Sequence, residues 1–309
     1  MIKLGVKSDP ILYRYSFDWL FELMAQEDIH FLQLGSFFEL YQLDDDYFLD
    51  LRKKAESYNI EIKSVFTAHR ELGGFFTGNA NLEKIARKNY ERLIEVAGLV
   101  GASYCGSNPG AVYRDHDDNK KEGIHSYLTH MKELSKVAKN NGLKALTIEP
   151  MSSLFEPPTT PEEIDLFIND LSGYHLKNQD TTVPTYLCGD ISHGLADSSK
   201  DIIHKNLDLF EHGISKMAEF HFKNTDEFFH STFGFSAIEQ QKGIIDLENI
   251  NKICEKHKDS WPVEEVIGYL EINGPKLGRD YTDNLLGEAL TTSLKELKKV
   301  FKVPEITQK

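Results

Sequence analysis

The chain has 309 residues, 40% apolar and 27% charged, ordinary proportions for a folded globular protein. Its 35 basic and 49 acidic residues leave a formal net charge of −14, which opposes general nucleic-acid binding but allows a small anionic ligand held by a few local cations. Three cysteines, Cys105, Cys188 and Cys254, are too few and too widely spaced for a disulfide framework or a Cys-rich zinc site, so a reducing, cytoplasmic compartment is expected.

No apolar run reaches the roughly 18 residues of a membrane span, and the opening stretch lacks the apolar core and cleavage site of a signal peptide. Short apolar runs alternate with longer amphipathic segments. The runs are Lys3–Val6, Ile29–Leu34, Ile60–Phe66, Ala102–Cys105, Lys144–Ile148, Thr185–Cys188, Ser215–Phe220 and Val266–Leu270. Each has the length and the β-branched or aromatic content of a buried strand. Between them, Asn81–Val100 carries one apolar stripe, with Asn81 as its expected N-cap. His125–Asn140 repeats the pattern and stops at Asn141-Gly142, a C-cap signal. Thr160-Pro161-Glu162-Glu163 starts a helix with Pro in the first turn and acids at the positive dipole end, and Asp246 opens another.

Strict alternation of strand and helix implies parallel strands with crossover helices. Eight such units predict a (β/α)8 TIM barrel, spanning residues 1–302 as a single catalytic domain with a short tail at 303–309. Such barrels take about 250 residues, so the extra length falls in the βα loops. An open doubly wound sheet would favour a Gly-rich phosphate loop after its first strand. Here Lys7-Ser8-Asp9-Pro10 follows instead.

Barrel enzymes carry their chemistry at the C-terminal ends of the strands. The last four runs end in Thr147-Ile-Glu149-Pro150, Gly189-Asp190-Ile-Ser-His193, His221-Phe-Lys223-Asn-Thr-Asp226 and Leu270-Glu271-Ile. A lone acid at a strand end is an ordinary solvated residue. Four consecutive strands ending in Glu, Asp, His and Glu form a ligand set. Three carboxylates at close range raise one another's pKa, and a divalent cation removes the conflict. The oxygen-rich set suits one Mn²⁺, Mg²⁺ or Co²⁺, with Zn²⁺ a further option.

These segments resemble the xylose-isomerase-like barrel superfamily of sugar isomerases and epimerases, which also contains the endonuclease IV family. The resemblance covers nearly the whole chain, and its ketose 3-epimerases and tetrulose- or pentulose-phosphate epimerases are the branches most similar to it. It implies Glu149, Asp190, His221 and Glu271 as ligands of one divalent metal, and Glu149 and Glu271 as the catalytic acid/base pair. His193, three residues after Asp190, would contact the substrate. The implied reaction is metal-dependent epimerisation or isomerisation of a sugar or sugar phosphate through an enediolate, with ketose 3-epimerisation favoured. The same ligands permit aldose–ketose isomerisation, or decarboxylation or dehydration of a sugar acid. A homo-oligomer, dimer or tetramer, is compatible with this reading; a membrane or nucleic-acid partner is not expected.

The chain also departs from its relatives. The epimerases carry an Arg shortly after the metal His, where this chain has Thr225-Asp226-Glu227-Phe228-Phe229. Lys223 is the candidate replacement cation, unless it only pairs with Asp226 or Glu219. Endonuclease IV-like chemistry needs further metal ligands. His69 stands where one would be, but no His follows the fourth strand and no Asp-x-His follows the seventh. His69 and Arg70 are therefore expected at the substrate pocket, Arg70 facing a phosphate, and Arg14 joins them from the first loop. The Gly-rich aromatic stretch 72–78 is either a lid over the mouth or a plain packed turn.

Overall fold

The N-terminal strand pairs in parallel with the last strand of the barrel, Ile2 opposite Val266 and Val6 opposite Leu270, and this pairing closes the sheet. The computed structural model describes residues 2–35, 37–68, 71–272 and 284–301. In chain order the elements are β1 (Ile2–Lys7), α1 (Phe17–Gln26), β2 (Phe31–Gly35), α2 (Asp45–Ser57), β3 (Glu61–Thr67), α3 (Ala80–Leu99), β4 (Tyr104–Ser107), α4 (Lys120–Asn140), β5 (Ala145–Ile148), α5 (Pro161–Lys177) and β6 (Thr185–Asp190). There follow β7 (Leu195–Ala196), β8 (Ile202–His204), α6 (Asn206–Gly213), β9 (Met217–Phe222), α7 (Ala237–Lys242), α8 (Leu247–Lys256), β10 (Val266–Leu270) and α9 (Leu286–Val300). Going round the barrel the order is β1, β10, β9, β6, β5, β4, β3, β2, all parallel. The expected (β/α)8 barrel is the observed architecture.

All eight expected strands form, the last with its expected bounds and the others shifted by no more than two residues at either end. The antiparallel hairpin β7–β8 was not expected from the sequence. It inserts between β6 and α6, in the loop region where barrels vary. Helix boundaries differ where capping decides them. The N-cap of α3 is Asn79, not Asn81: its side chain accepts from the backbone N–H of both Asn81 and Leu82. Helix α4 begins at Lys120, five residues before the expected start. It ends as expected, with Gly142 at φ 80°, a left-handed turn that glycine adopts without strain. Thr160 and Asp246 cap α5 and α8 as the sequence indicates.

Successive strand residues alternate between barrel interior and helix layer. Phe220 and Phe222 of β9 face outward, packing edge-on against Phe210 of α6 and Phe301. Glu219 and His221, which alternate with them in sequence, make contacts across the interior. The main apolar core lies in that outer layer, between strands and helices, where Leu4, Val6, Leu32, Leu34, Leu146 and Ile148 are buried. The barrel interior is unusually polar, with Gln33, Ser64, Thr147, Glu219 and His221 all fully buried. Cys105, Cys188 and Cys254 are buried free thiols. Among the described residues, no helix is long and apolar enough to cross a membrane. The expected boundary at residue 302 and the tail 303–309 lie outside the described residues.

Candidate metal centre

Strand pairing and alternation bring the four strand-end residues to one place. Glu149 follows β5 directly, Asp190 ends β6, His221 lies on β9 and Glu271 follows β10. Asp190 is the register partner of His221, which is also the partner of Tyr269, two residues before Glu271. One ligand atom from each of Glu149, Asp190, His221 and Glu271 lies within 4.8 Å of all the others. His221 Nδ1 is 3.0 Å from Glu149 Oε1, 3.3 Å from Glu271 Oε2 and 4.0 Å from Asp190 Oδ2. The imidazole is fully buried, and Glu149 and Asp190 are each 5% exposed.

Two buried carboxylates and the partly buried Glu271 demand cations, and two lysines supply them. Lys223 Nζ lies 2.5 Å from Asp190 Oδ2 and 3.4 Å from Glu271 Oε2. Lys7 Nζ, from the end of β1, lies 2.5 Å from Glu271 Oε1 and 3.2 Å from Asp9 Oδ2. These contacts reverse the ordinary effect of burial. Desolvation alone would raise the Glu271 carboxyl; the charges of Lys7, His221 and Lys223 hold it well below the usual carboxylate range. Desolvation likewise works to raise Asp190, but His193 and Lys223 outweigh it and lower the group. Burial would lower the His221 imidazole, yet the charges of Glu271 and Glu149 prevail against it and against Lys7, raising it.

The donor set fits a divalent cation. It offers three carboxylates and one imidazole nitrogen, a hard, oxygen-rich arrangement without thiolate. Asp190 Oδ2 is buried without a hydrogen bond even though the Lys223 ammonium is in ion-pair contact. His221 Nε2 is engaged by Gln33 Oε1 at 2.8 Å, which leaves Nδ1 directed at the carboxylates. Lys7 and Lys223 offset part of the charge of the three carboxylates, and a divalent ion would take over part of that task.

His193 borders the cluster. Its Nδ1 lies 2.8 Å from the Pro150 carbonyl oxygen and therefore donates, leaving Nε2 to accept from Lys223 Nζ at 2.9 Å. Lys223 pairs with Asp190 and Glu271, not with Asp226 or Glu219, the two partners the sequence suggested. Asp226 instead organises its own loop, accepting from the backbone N–H of Phe228 and His230 and from the Ser231 hydroxyl. Arg14 sits half-buried in the loop after β1, where its Nη1 donates to the Pro10 carbonyl at 3.3 Å. Its neighbours Tyr13 and Tyr15 line a separate cleft of about 540 Å³ with Phe37 and Tyr47, and no cluster residue lines that cleft. His69 and Arg70 lie outside the described residues. Stretch 72–78 is a packed turn: Phe75 and Phe76 are buried, with ring centroids 5.9 and 5.8 Å from Tyr127.

The sequence reading missed Lys7 and Gln33. Each is a polar residue on a mainly apolar strand, and each is buried inside the barrel, unlike Lys3 of the same β1, which is exposed. Period-two alternation was the available signal: Glu219, His221 and Lys223 share one face of β9 and its extension, as do Thr147 and Glu149 on β5.

A closed parallel barrel with a metal-ligand cluster at its C-terminal mouth defines the class: the chain has the fold of xylose-isomerase-like TIM barrels. Its solved neighbours include a putative xylose isomerase from Rhodospirillum rubrum, at TM-score 0.78 and 19% identity over 97% of this chain and 99% of that one. They also include a D-psicose 3-epimerase with D-tagatose from Clostridium cellulolyticum, at TM-score 0.71 and 14% identity over 97% and 99%. A third is the IolI protein with a bound zinc atom, at TM-score 0.69 and 16% identity over 98% and 100%. No family sequence model and no curated protein sequence matches the chain.

Proposed function

We propose that the protein is a divalent-metal-dependent epimerase or isomerase of a sugar or sugar phosphate, with ketose 3-epimerisation the favoured reaction. The observation that carries this reading is the placement of Glu149 and Glu271, brought from β5 and β10, which β6 and β9 separate in the barrel, to flank one His–Asp pair. The structural neighbours support it, since they include sugar isomerases and epimerases. Location in the cytoplasm belongs to the same reading and is supported by three unpaired, buried cysteines.

In this reading Glu149, Asp190, His221 and Glu271 hold the ion, which when bound polarises the substrate carbonyl and acidifies the neighbouring C–H bond. Glu149 and Glu271 lie on opposite faces of the substrate. Glu271, held ionised, removes the proton from carbon and becomes the acid; Glu149, which has to enter protonated, delivers its proton from the far side and is left as the carboxylate, which inverts that carbon, and exchange with solvent resets the pair. Lys7 and Lys223 hold the Glu271 carboxylate in place and keep it ionised. His193 and Lys223, in contact with each other at the edge of the cluster, would orient a substrate hydroxyl that takes the place of that contact. The buried walls exclude bulk water from the enediolate, and the ammonium groups stabilise its negative charge.

The test is product analysis of the metal-loaded enzyme on a panel of ketoses and their phosphates, with Glu149→Gln and Glu271→Gln alongside. The 3-epimer is expected, and each variant is expected to lower kcat by about 10²–10⁴-fold. An aldose product would move the assignment to aldose–ketose isomerisation. Turnover restricted to a sugar acid, with loss of carbon dioxide or water, would replace it by a lyase. Variants with wild-type turnover would refute the acid/base roles. A preference for the phosphorylated over the free sugar would place a phosphate site at the mouth; equal turnover would dismiss it.

A further inference from the structure

Beneath the ligand cluster, the barrel interior holds a chain of hydrogen bonds with a fixed direction. Ser64 Oγ lies 3.0 Å and Thr147 Oγ1 2.9 Å from the same oxygen of Glu219, Oε1, so both hydroxyls donate downward to it. With its proton committed, the Ser64 oxygen faces upward as an acceptor. The Gln33 amide nitrogen lies 3.5 Å from it and 3.9 Å from Cys188 Sγ. That orientation turns the Gln33 carbonyl oxygen towards His221 Nε2, at 2.8 Å. A carbonyl can only accept, so Nε2 carries a hydrogen, and Nδ1, which faces Glu149, Glu271 and Asp190, is the nitrogen that can turn a lone pair to an ion once its own hydrogen is displaced. The ring is further held by the edge of Phe66, at 5.3 Å between centroids, and by Cys188 Sγ at 3.5 Å.

We infer that Gln33 is a positioning residue: oriented by Ser64 above Glu219, it fixes the His221 tautomer that offers Nδ1 to the metal ion. The inference rests on the metal-centre reading above and adds residues that touch neither ion nor substrate. Partners that hold the far nitrogen of a ligating histidine typically change metal affinity by about 10–100-fold when removed. Two of the four links come from β2 and β3, strands that contribute no ligand to the cluster. The interior polarity is thereby explained: Gln33, Ser64 and Glu219 occupy positions that apolar side chains would otherwise fill.

The test is calorimetric titration with Mn²⁺ of the wild type, Gln33→Met and Gln33→Glu, with ¹⁵N NMR of the histidine rings after loading with diamagnetic Zn²⁺. Gln33→Met keeps the volume and removes the acceptor; it should weaken Mn²⁺ binding about 10–100-fold and lose the protonated Nε2 signal of His221. Gln33→Glu keeps an acceptor for Nε2–H and should recover most of the affinity and the signal, a rescue that a purely structural role would not produce. Should Gln33→Met fail to fold, Ser64→Ala removes only the hydroxyl that orients the amide and should show the same two changes in smaller measure. A folded Gln33→Met with wild-type affinity and an unchanged His221 spectrum overturns the inference while leaving the metal centre intact. A wild type that binds no Mn²⁺ overturns both.

Discussion

Glu271 is held between two ammonium groups, Lys7 on one oxygen and Lys223 on the other, and the imidazole of His221 also faces it. That crowding of charge has a consequence for metal binding. The His221 pKa is raised in the metal-free protein, because the carboxylates outweigh burial and the repulsion from Lys7. A ligating imidazole must be neutral, so an arriving ion displaces a proton from it. The sign follows: below the raised pKa of His221 the proton competes with the ion, and above it the competition ends. Metal affinity should therefore rise with pH through and above the usual histidine range and level off beyond it. Calorimetric titrations in buffers of different ionisation enthalpy will count the proton released; a pH-independent affinity with no proton release would contradict the assignment of His221. Lys7 itself depends on a neighbour without a side chain. A Cβ on Gly35 would fall 1.6 Å from Asp9 Oδ1, so only glycine lets Asp9 approach the Lys7 ammonium from this side.

Helix ends show where local sequence signals compete. Asn79 and Asn81 are both good N-cap residues, and spacing of the apolar stripe pointed to Asn81. The structure uses Asn79, which satisfies two otherwise orphaned N–H groups, while Asn81 lies within the first turn. Asn79→Ala should cost about 1 kcal/mol of stability, and Asn81→Ala much less, as read from midpoints in urea with unchanged m values. Equal losses would mean that the cap is not where the structure places it. The strands were legible because burial on both faces makes them continuous apolar runs. The hairpin β7–β8 was not, since its strands are two and three residues long and Ile202 and Ile203 are exposed. Stretch 72–78 was legible as an aromatic turn, but its direction of packing depends on Tyr127, some fifty residues away in sequence, and no local pattern encodes that.

The barrel turns residues 122 positions apart, such as Glu149 and Glu271, into neighbours, and the four candidate ligands were readable because each sits at a strand's C-terminal end. Lys7 and Gln33 escaped notice because alternation tells which face of a strand a polar residue takes but not what it meets across the interior. Closure of the barrel alone supplies that information. The overall charge of −14 also divides in a way composition hides. Exposed acids of the helix layer pair along or between helices, as Glu56 does with Arg52 and Asp18 with Lys54, contacts that contribute little each. Three acids instead face the mouth, beside two buried lysines, and concentrate the chemistry there. The central claim is that this mouth labilises a C–H bond beside a carbonyl with the help of a divalent ion. The most direct measurement is hydrogen exchange in heavy water, followed by NMR, with a ketose substrate and the protein either loaded with Mn²⁺ or stripped by chelator. The account predicts deuterium entering at C3 with the loaded protein only, and none with Glu149→Gln or Glu271→Gln. Exchange that persists after the metal is stripped, or no exchange with any ketose or ketose phosphate, would contradict it.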